Sequence, residues 1–181
     1  EWQEVTFTDE NTGEKHIADV QTSHGVVIEF QHSHINPKER TSRERFYKKM
    51  VWVVDGTRLK RDFLRFLKGR KDLRRTDSPN RFIVQFPDEC FPSTWLGSSV
   101  PVIFDFRGME LIENHEDIRD FLYCLLPNQN KLDSTLVVLS REAFINSAIN
   151  GELFKKQQEQ KTQKVQTPPQ KNIIRARESS H

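Results

Sequence analysis

The sequence predicts an α/β domain in which a mixed sheet is flanked by helices. Three observations carry the prediction. Three strand-like segments precede the first helix signal. A capped helix follows, and directly after it Met50–Asp55 reads MVWVVD, nearly all apolar. A short apolar run after a helix fits a strand buried on both faces, which implies a parallel neighbour. Strand and helix signals then continue to about residue 154, where the composition changes.

Taken in order, Gln3–Thr8 alternates polar and apolar residues, and Asp9–Gly13 is turn chemistry. Lys15–Gln21 reads as a second strand and Val26–Gln31 as a third. Ser23-His24-Gly25 joins them, with Gly where a positive φ costs least. Asn36 is an N-cap, Pro37 takes the first helical position, and Glu39 completes a capping-box spacing, so a helix is expected from Pro37 to about Lys49. Residues 57–75 look helical and basic, with Leu59, Phe63, Phe66, Leu67 and Leu73 as apolar points and Gly69 as an interruption. Arg81–Phe86 and Val100–Phe106 read as strands. Asn114 is read as capping a helix over 115–126, with Ile118, Phe121, Leu122 and Leu125 on one face. Thr135–Leu139 is the last strand, and Ser140 caps a closing helix over 141–149 that Gly151 ends. Residues 1–154 form the folded domain, with 58–115 as a basic helix-and-strand insertion or extension. Residues 155–181 are rich in Gln and Lys and too poor in apolar residues to offset their ordering entropy, so a disordered tail is expected.

At 181 residues the chain is one ordinary domain with a little extra, and its 13 Phe and 3 Trp supply large surfaces for a core. No apolar run approaches the ~20 residues that span a bilayer. The opening Glu1-Trp2-Gln3-Glu4 is acidic where a leader would be positive. The two cysteines, Cys90 and Cys124, exclude a disulfide scaffold and a four-cysteine zinc site, and a cytoplasmic location with no membrane contact is expected. The net charge of +2 hides an asymmetry. Residues 58–75 hold nine Lys or Arg against two Asp, an excess of +7, and residues 155–181 hold seven against two acidic residues, +5, which leaves −10 for the rest. An acidic body with two basic segments points to an anionic partner met at particular places.

The informative stretch is Asp19 followed by Glu29-Phe30-Gln31. If Ser23-His24-Gly25 is a three-residue loop, Thr22 pairs with Val26, and Asp19 falls directly opposite Glu29. Glu29 and Gln31, two apart, share that face. Facing like charges are destabilising unless a cation lies between them. Glu29 also lies within a strand that otherwise reads as buried, and a buried charge needs a partner or a metal. Two carboxylates, a nearby carbonyl and water suit Mg²⁺ or Mn²⁺. On spacing alone, two exposed acids on an edge hairpin is an equally good reading.

The strings His16-Ile17-Ala18-Asp19-Val20, Ile28-Glu29-Phe30-Gln31-His32-Ser33, Arg43 with Phe46-Tyr47, and Val51-Trp52-Val53-Val54-Asp55 together resemble the competence protein CoiA-like family, as does Pro101–Phe106. That family is assigned to the PD-(D/E)xK nuclease superfamily. The resemblance covers residues 14–56 closely and 90–150 loosely. It implies a restriction-endonuclease-like fold, a Mg²⁺- or Mn²⁺-dependent hydrolysis of DNA phosphodiester bonds, and a role with foreign or incoming DNA, in transformation or in defence. It further implies that Asp19, Glu29 and the Phe30 carbonyl are metal ligands. Gln31 falls where the superfamily has Lys, and a neutral amide orients water only by hydrogen bonds. The superfamily's first helix would precede the first strand, where this chain has only Glu1 and Glu4 nearby.

Arg43 and Tyr47, four apart, share one helix face; the resemblance implies that they reach the site, Arg43 on phosphate and Tyr47 orienting a ligand or water, against the plain reading of a solvated Arg and an amphipathic Tyr covering the core. His32 and Ser33, at the strand end, are expected to line it. The His residues lack the pairing at ligand spacing that zinc requires. Lys60, Arg61, Arg65, Lys68, Arg70 and Lys71 are candidate nucleic-acid contacts, set against the plain reading of a solvated helix face. Rival functions are a catalytically inactive nuclease-derived module that binds DNA or scaffolds, and a structural partner that buries 81–106 against a protein partner or a second copy in a homodimer. Trp52 and Trp95 are expected in the core.

Overall fold

The structure is a computed structural model that describes residues 5–8, 13, 15–108, 117–127 and 133–153. The turn at 9–12, the cap at Asn114 and the segment 155–181 lie outside the described residues. The chain begins with a hairpin of β1 (Val5–Thr8) and β2 (Lys15–Ala18), paired in a two-stranded sheet of their own. A bend at Asp19 then leads to β3 (Val20–Gln21). The single strand expected over Lys15–Gln21 is therefore two. The break falls at Asp19 because its carboxylate takes the N–H of Phe30 where a ladder would use backbone.

β4 (Val27–Gln31), α1 (Pro37–Tyr47) and β5 (Met50–Asp55) follow, close to the predicted bounds. Asn36 caps α1 by accepting from the Lys38 N–H, and Pro37 is at the first position. Glu39 turns to Arg43, 3.4 Å away. The long basic helix expected over 57–75 is shorter. α2 spans Lys60–Gly69, a 3₁₀ turn takes Arg70–Asp72, and β6 (Arg74–Arg75) pairs with β7 (Arg81–Val84). Gly69, the last residue of α2, backs onto Cys90 and the Glu89 carbonyl with no room for a Cβ. Two one-turn helices, α3 (Pro87–Cys90) and α4 (Ser93–Leu96), lead to β8 (Val102–Asp105).

The helix expected over 115–126 is replaced by a 3₁₀ turn at Ile118–Asp120 and by β9 (Phe121–Leu125). Ile118, Phe121, Leu122 and Leu125 imitate a helical stripe, and a short all-apolar run looks alike in a buried strand and a buried helix. The packing shows period two. Phe121, Tyr123 and Leu125 join the cluster on one side of the sheet, and Leu122 and Cys124 the cluster on the other. β10 (Ser134–Ser140) and α5 (Arg141–Ile149) close the described chain, with the Ser140 hydroxyl capping α5 at Ala143.

The eight-stranded sheet runs β3-β4-β5-β8-β9-β10-β7-β6. β4, β5 and β8 are mutually parallel and every other neighbouring pair is antiparallel. The parallel trio explains why MVWVVD carries no polar alternation, since β5 is covered on both faces. One face carries Val27, Met50, Trp52, Val54 and Phe104 against Phe66, Phe91 and Trp95 from the α2–α4 segment. The other carries Ile28, Val51, Val53 and Ile103 against Phe144 and Ala148 of α5. Trp52 and Trp95 are buried core residues with rings 5.5 Å apart. Among the described residues no helix is long and apolar enough to cross a membrane.

A candidate acidic site at the sheet edge

The β3–β4 turn sets the geometry of the site. Thr22 N–H donates to the Val26 carbonyl (2.8 Å), Gly25 N–H to the Thr22 carbonyl (2.9 Å), and Gly25 has φ +72°. The ladder pairs Val20 with Ile28 and Gln21 with Val27, the register that the loop length predicts, and stops at the Asp19 bend, where Asp19 is near enough for its charge to act on Glu29. The Asp19 Oδ2 accepts from the Phe30 N–H at 2.7 Å. A strand residue directs its N–H and C=O to the same edge, so the Phe30 carbonyl faces β3 as well.

Glu29 is 3% exposed. Its Oε2 accepts from Arg43 Nη1 at 2.9 Å, while its Oε1 is buried without a hydrogen-bond partner. The buried Tyr47 hydroxyl beside it is also without one, although it lies close enough to favour the ionised carboxylate slightly. Burial pushes the Glu29 carboxyl up to about 7; Arg43 opposes that rise and Asp19 adds to it. Burial, followed by the Glu29 charge, raises the Tyr47 hydroxyl. Tyr47 is held by rings of Phe7 (5.3 Å), Phe46 (5.1 Å) and His16 (6.1 Å), so the β1–β2 hairpin clamps the end of α1 over Glu29.

Asp19, Glu29, Arg43 and Tyr47 thus come together. Gln31 shares the Glu29 face of β4, but its Nε2 donates to the carbonyl (2.8 Å) and hydroxyl (3.1 Å) of Ser33 and not to Glu29. His32 is exposed, with Nδ1 3.5 Å from Asp55 Oδ2. His32 and Ser33 therefore border a neighbouring group at the strand ends and not the acidic pair. Lys60, Arg61 and Lys68 are exposed along α2, and Arg70 and Lys71 are exposed on the turn after it. Arg65 is partly buried, donating to the Phe91 carbonyl at 3.3 Å.

Sequence reasoning missed Arg40 and Glu44. Glu44, 3% exposed, accepts from Trp52 Nε1 (3.2 Å), Ser98 Oγ (2.8 Å), and the Ser99 N–H (2.9 Å) and Oγ (2.7 Å). Arg40 donates to the carbonyls of Thr94 (2.6 Å) and Gly97 (3.0 Å) and lies 3.4 Å from Glu44. This network bolts α1, and with it Arg43 and Tyr47, to the loop before β8. A signal was present. PKERTSRERFY has apolar side chains of any size only at its end, so a packed α1 had to bury charged residues in pairs.

Also missed were the carboxyl ends of the parallel strands. Asp55 Oδ1 accepts from the Thr57 N–H (2.9 Å) and hydroxyl (2.6 Å). Burial alone would raise the Asp55 carboxyl, but these bonds and His32 outweigh it and hold it below the usual carboxylate range. Asp105, beside it, is held by both Nη atoms of Arg141 (2.7 and 3.1 Å). Among the described residues no three His, Cys, Asp or Glu side chains cluster as a metal site. The pair Asp19 and Glu29, with the Phe30 carbonyl, is nevertheless a set of hard oxygen donors that fits Mg²⁺ or Mn²⁺ completed by water. The buried, unpartnered Glu29 Oε1 is the observation behind that fit. No protein-family model, curated protein or solved structure matches this chain.

Proposed function

We infer that the protein is a metal-dependent deoxyribonuclease of restriction-endonuclease-like fold that hydrolyses DNA phosphodiester bonds. The observation that carries this reading is Glu29, buried with one oxygen unpartnered and with the Asp19 carboxylate near enough to push its carboxyl up. Two carboxylates so placed repel each other, and burial makes the repulsion worse; a site that binds a divalent cation is the economical reason to keep both. Asp19, Glu29 and the Phe30 carbonyl would hold Mg²⁺ or Mn²⁺, which when bound lowers the pKa of water and stabilises charge on a phosphate under attack. Arg43 opposes the protonation of Glu29 that burial favours, and would offer its further guanidinium N–H groups to a phosphate oxygen. The Tyr47 hydroxyl, its proton held firmly and without a partner, would donate to a ligand or to water. The exposed α2 cations would draw the backbone of DNA toward this edge. The resemblance to the CoiA-like family supports foreign or incoming DNA as the substrate, handled in the cytoplasm during transformation or defence.

The test is incubation with single-stranded, linear and supercoiled DNA in Mg²⁺, Mn²⁺ or EDTA. Cleavage is expected in metal only, with Asp19→Ala and Glu29→Ala each reducing the rate at least about 100-fold. Cleavage that survives both substitutions overturns the reading.

A second reading is an inactive nuclease-derived module that binds DNA. It is favoured by the Arg43–Glu29 ion pair, which already neutralises one ligand, and by a neutral Gln31 turned onto Ser33. It requires that charge reversal at Arg61, Arg65 and Lys68 abolish DNA binding while the carboxylate substitutions change nothing.

A further inference from the structure

One row of paired residues crosses the eight-stranded sheet from the acidic pair to its far edge. Glu29 of β4 partners Trp52 and Trp52 partners Val102. The row continues through Leu125, Leu136 and Phe82 to Arg75 of β6. Directly paired residues share a face of a sheet. Trp52, Val102, Leu125 and Leu136 lie in one core cluster, and Phe82 packs against it. Glu29 and Arg75 therefore stand at the two ends of the row, on the side of the sheet that α2 covers. Neighbouring strands are about 4.8 Å apart, so the six steps of the row place Arg75 about 29 Å from Glu29.

The outer surface between those ends is basic. Phe63 and Phe66 of α2 pack on Phe106, at 5.5 and 4.7 Å, and Phe66 packs on Tyr123 at 4.3 Å. The helix thus lies over β8 and β9 with its charged side outward. Of the nine Lys and Arg in residues 58–75, all but Arg65 are exposed. They start at Arg58, just past the end of β5, and finish at Arg74 and Arg75 on the edge strand β6. Arg40, Arg43, Arg107, Arg119 and Arg141 are each paired with a carboxylate. Among the described residues no ion pair takes an exposed cation of 58–75. Like charges left unpaired along one surface repel, and an anionic partner relieves them. Proteins that hold single strands stack the bases on aromatic side chains. The exposed apolar residues of this segment, Leu59 and Leu64, are aliphatic. The surface suits phosphates and not bases, and a stiff duplex presents phosphates at fixed spacing.

We propose that residues 58–75 form a backbone track for double-stranded DNA, running to one side of the acidic pair only, and that Arg74 and Arg75 hold phosphates about eight base pairs from the bond that is cut. The proposal rests on the nuclease reading and deepens it, naming duplex DNA as the substrate and giving it a least length. At about 3.4 Å of axis per base pair, the row of about 29 Å spans roughly eight to nine base pairs. The track is one-sided because only β3 lies beyond β4 at that edge, while every other strand of the sheet lies on the side toward β6. A cut made too near one end of a strand therefore forfeits the far contacts. The other end carries no such requirement.

The test uses the whole chain and a long blunt duplex, end-labelled. Affinity is read against salt in EDTA for the parent, for Arg74→Glu with Arg75→Glu, and for Lys15→Glu with Arg45→Glu. The last pair changes net charge equally through exposed cations off the track. Cleavage is mapped in Mn²⁺. The slope of log affinity on log salt should fall by about two in the track variant and stay at the parent value in the control. The parent map should show roughly the last eight base pairs at one end of each strand spared. The track variant, deprived of the far contacts everywhere, should cut more slowly but evenly up to both ends. If the Glu pair does not fold, Arg74→Gln with Arg75→Gln gives the same readings. Equal slopes in track and control variants, single strands bound as tightly as duplex, or a parent map that runs evenly to both ends overturns the proposal. Glu29-dependent cleavage in any of those cases leaves the nuclease reading standing without the track. A slope lost only in the track variant, with no cleavage of any substrate, gives the reverse: the segment holds duplex and the nuclease reading falls.

Discussion

Glu29 is where stability and the proposed chemistry oppose each other. Its carboxyl is raised from 4.5 to about 7, first by burial. Between those values the folded state holds a proton that the unfolded state has released, so Glu29 makes the protein less stable as pH rises from 4.5 through 7. A Gln mimics the protonated acid. Glu29→Gln is therefore expected to be more stable than the parent by on the order of 2 kcal/mol at pH 8 and about equal near pH 4.5, as read by urea unfolding at both pH values. Metal affinity should show the opposite slope. It should strengthen as pH rises through about 7, when Glu29 loses its proton, and that dependence should vanish in Glu29→Gln. Glu44 has a different part. It accepts four hydrogen bonds and faces a buried Arg40, so Glu44→Ala strands a cation and several donors. A loss of about 3–5 kcal/mol is expected in denaturant melts, with Glu44→Gln costing less. That Asp19 and Glu29 approach each other, and that Arg43 and Tyr47 share a helix face, was legible in the sequence because turn length and helical spacing are local properties. The Gln31–Ser33 turn and the Glu44 acceptors were not, because their partners are chosen by packing.

Among the elements, α1 brings Arg43 and Tyr47 to the site and is the least apolar of α1, α2 and α5. Its start is set locally: Asn36→Ala should cost about 1 kcal/mol of stability, measured by thermal or urea unfolding. α2 is the reverse, with Phe63 and Phe66 packed inward and Lys60, Arg61 and Lys68 outward around an exposed Leu64. If this face meets DNA, the double substitution Arg61→Glu and Lys68→Glu should weaken binding across all sequences and flatten the salt dependence by about two phosphate contacts, read from affinity against log salt. The same variant should melt like the parent, because both side chains are exposed. Boundaries were legible where a cap or turn stands in the sequence, as at Asn36, Gly25 and Ser140. They were misread where packing decides the element, as at 121–125, expected within a helix and found as a strand.

In the whole molecule, three parallel strands bring the ends of β4, β5 and β8 together, and the antiparallel strands extend the sheet away from them. Asp55 and Asp105 are fifty residues apart in sequence and direct partners in the sheet. Arg141 reaches Asp105 from the start of α5. No periodicity within a segment encodes such meetings. By itself the sequence determined the α/β class, the hairpin register that pairs Val20 with Ile28, the capped helix α1 and the buried strand β5. The last three follow from chain geometry over fewer than about a dozen residues, a loop length, a cap and a run of apolar side chains, and the class follows from the order of such elements along the chain. Only the tertiary structure decided that 121–125 is a strand, that a charged helix could bury Arg40 and Glu44, and that one row of the sheet runs from Glu29 to Arg75. Those outcomes depend on which surfaces meet, since a continuous apolar run packs equally well as helix or strand until neighbours claim both its faces.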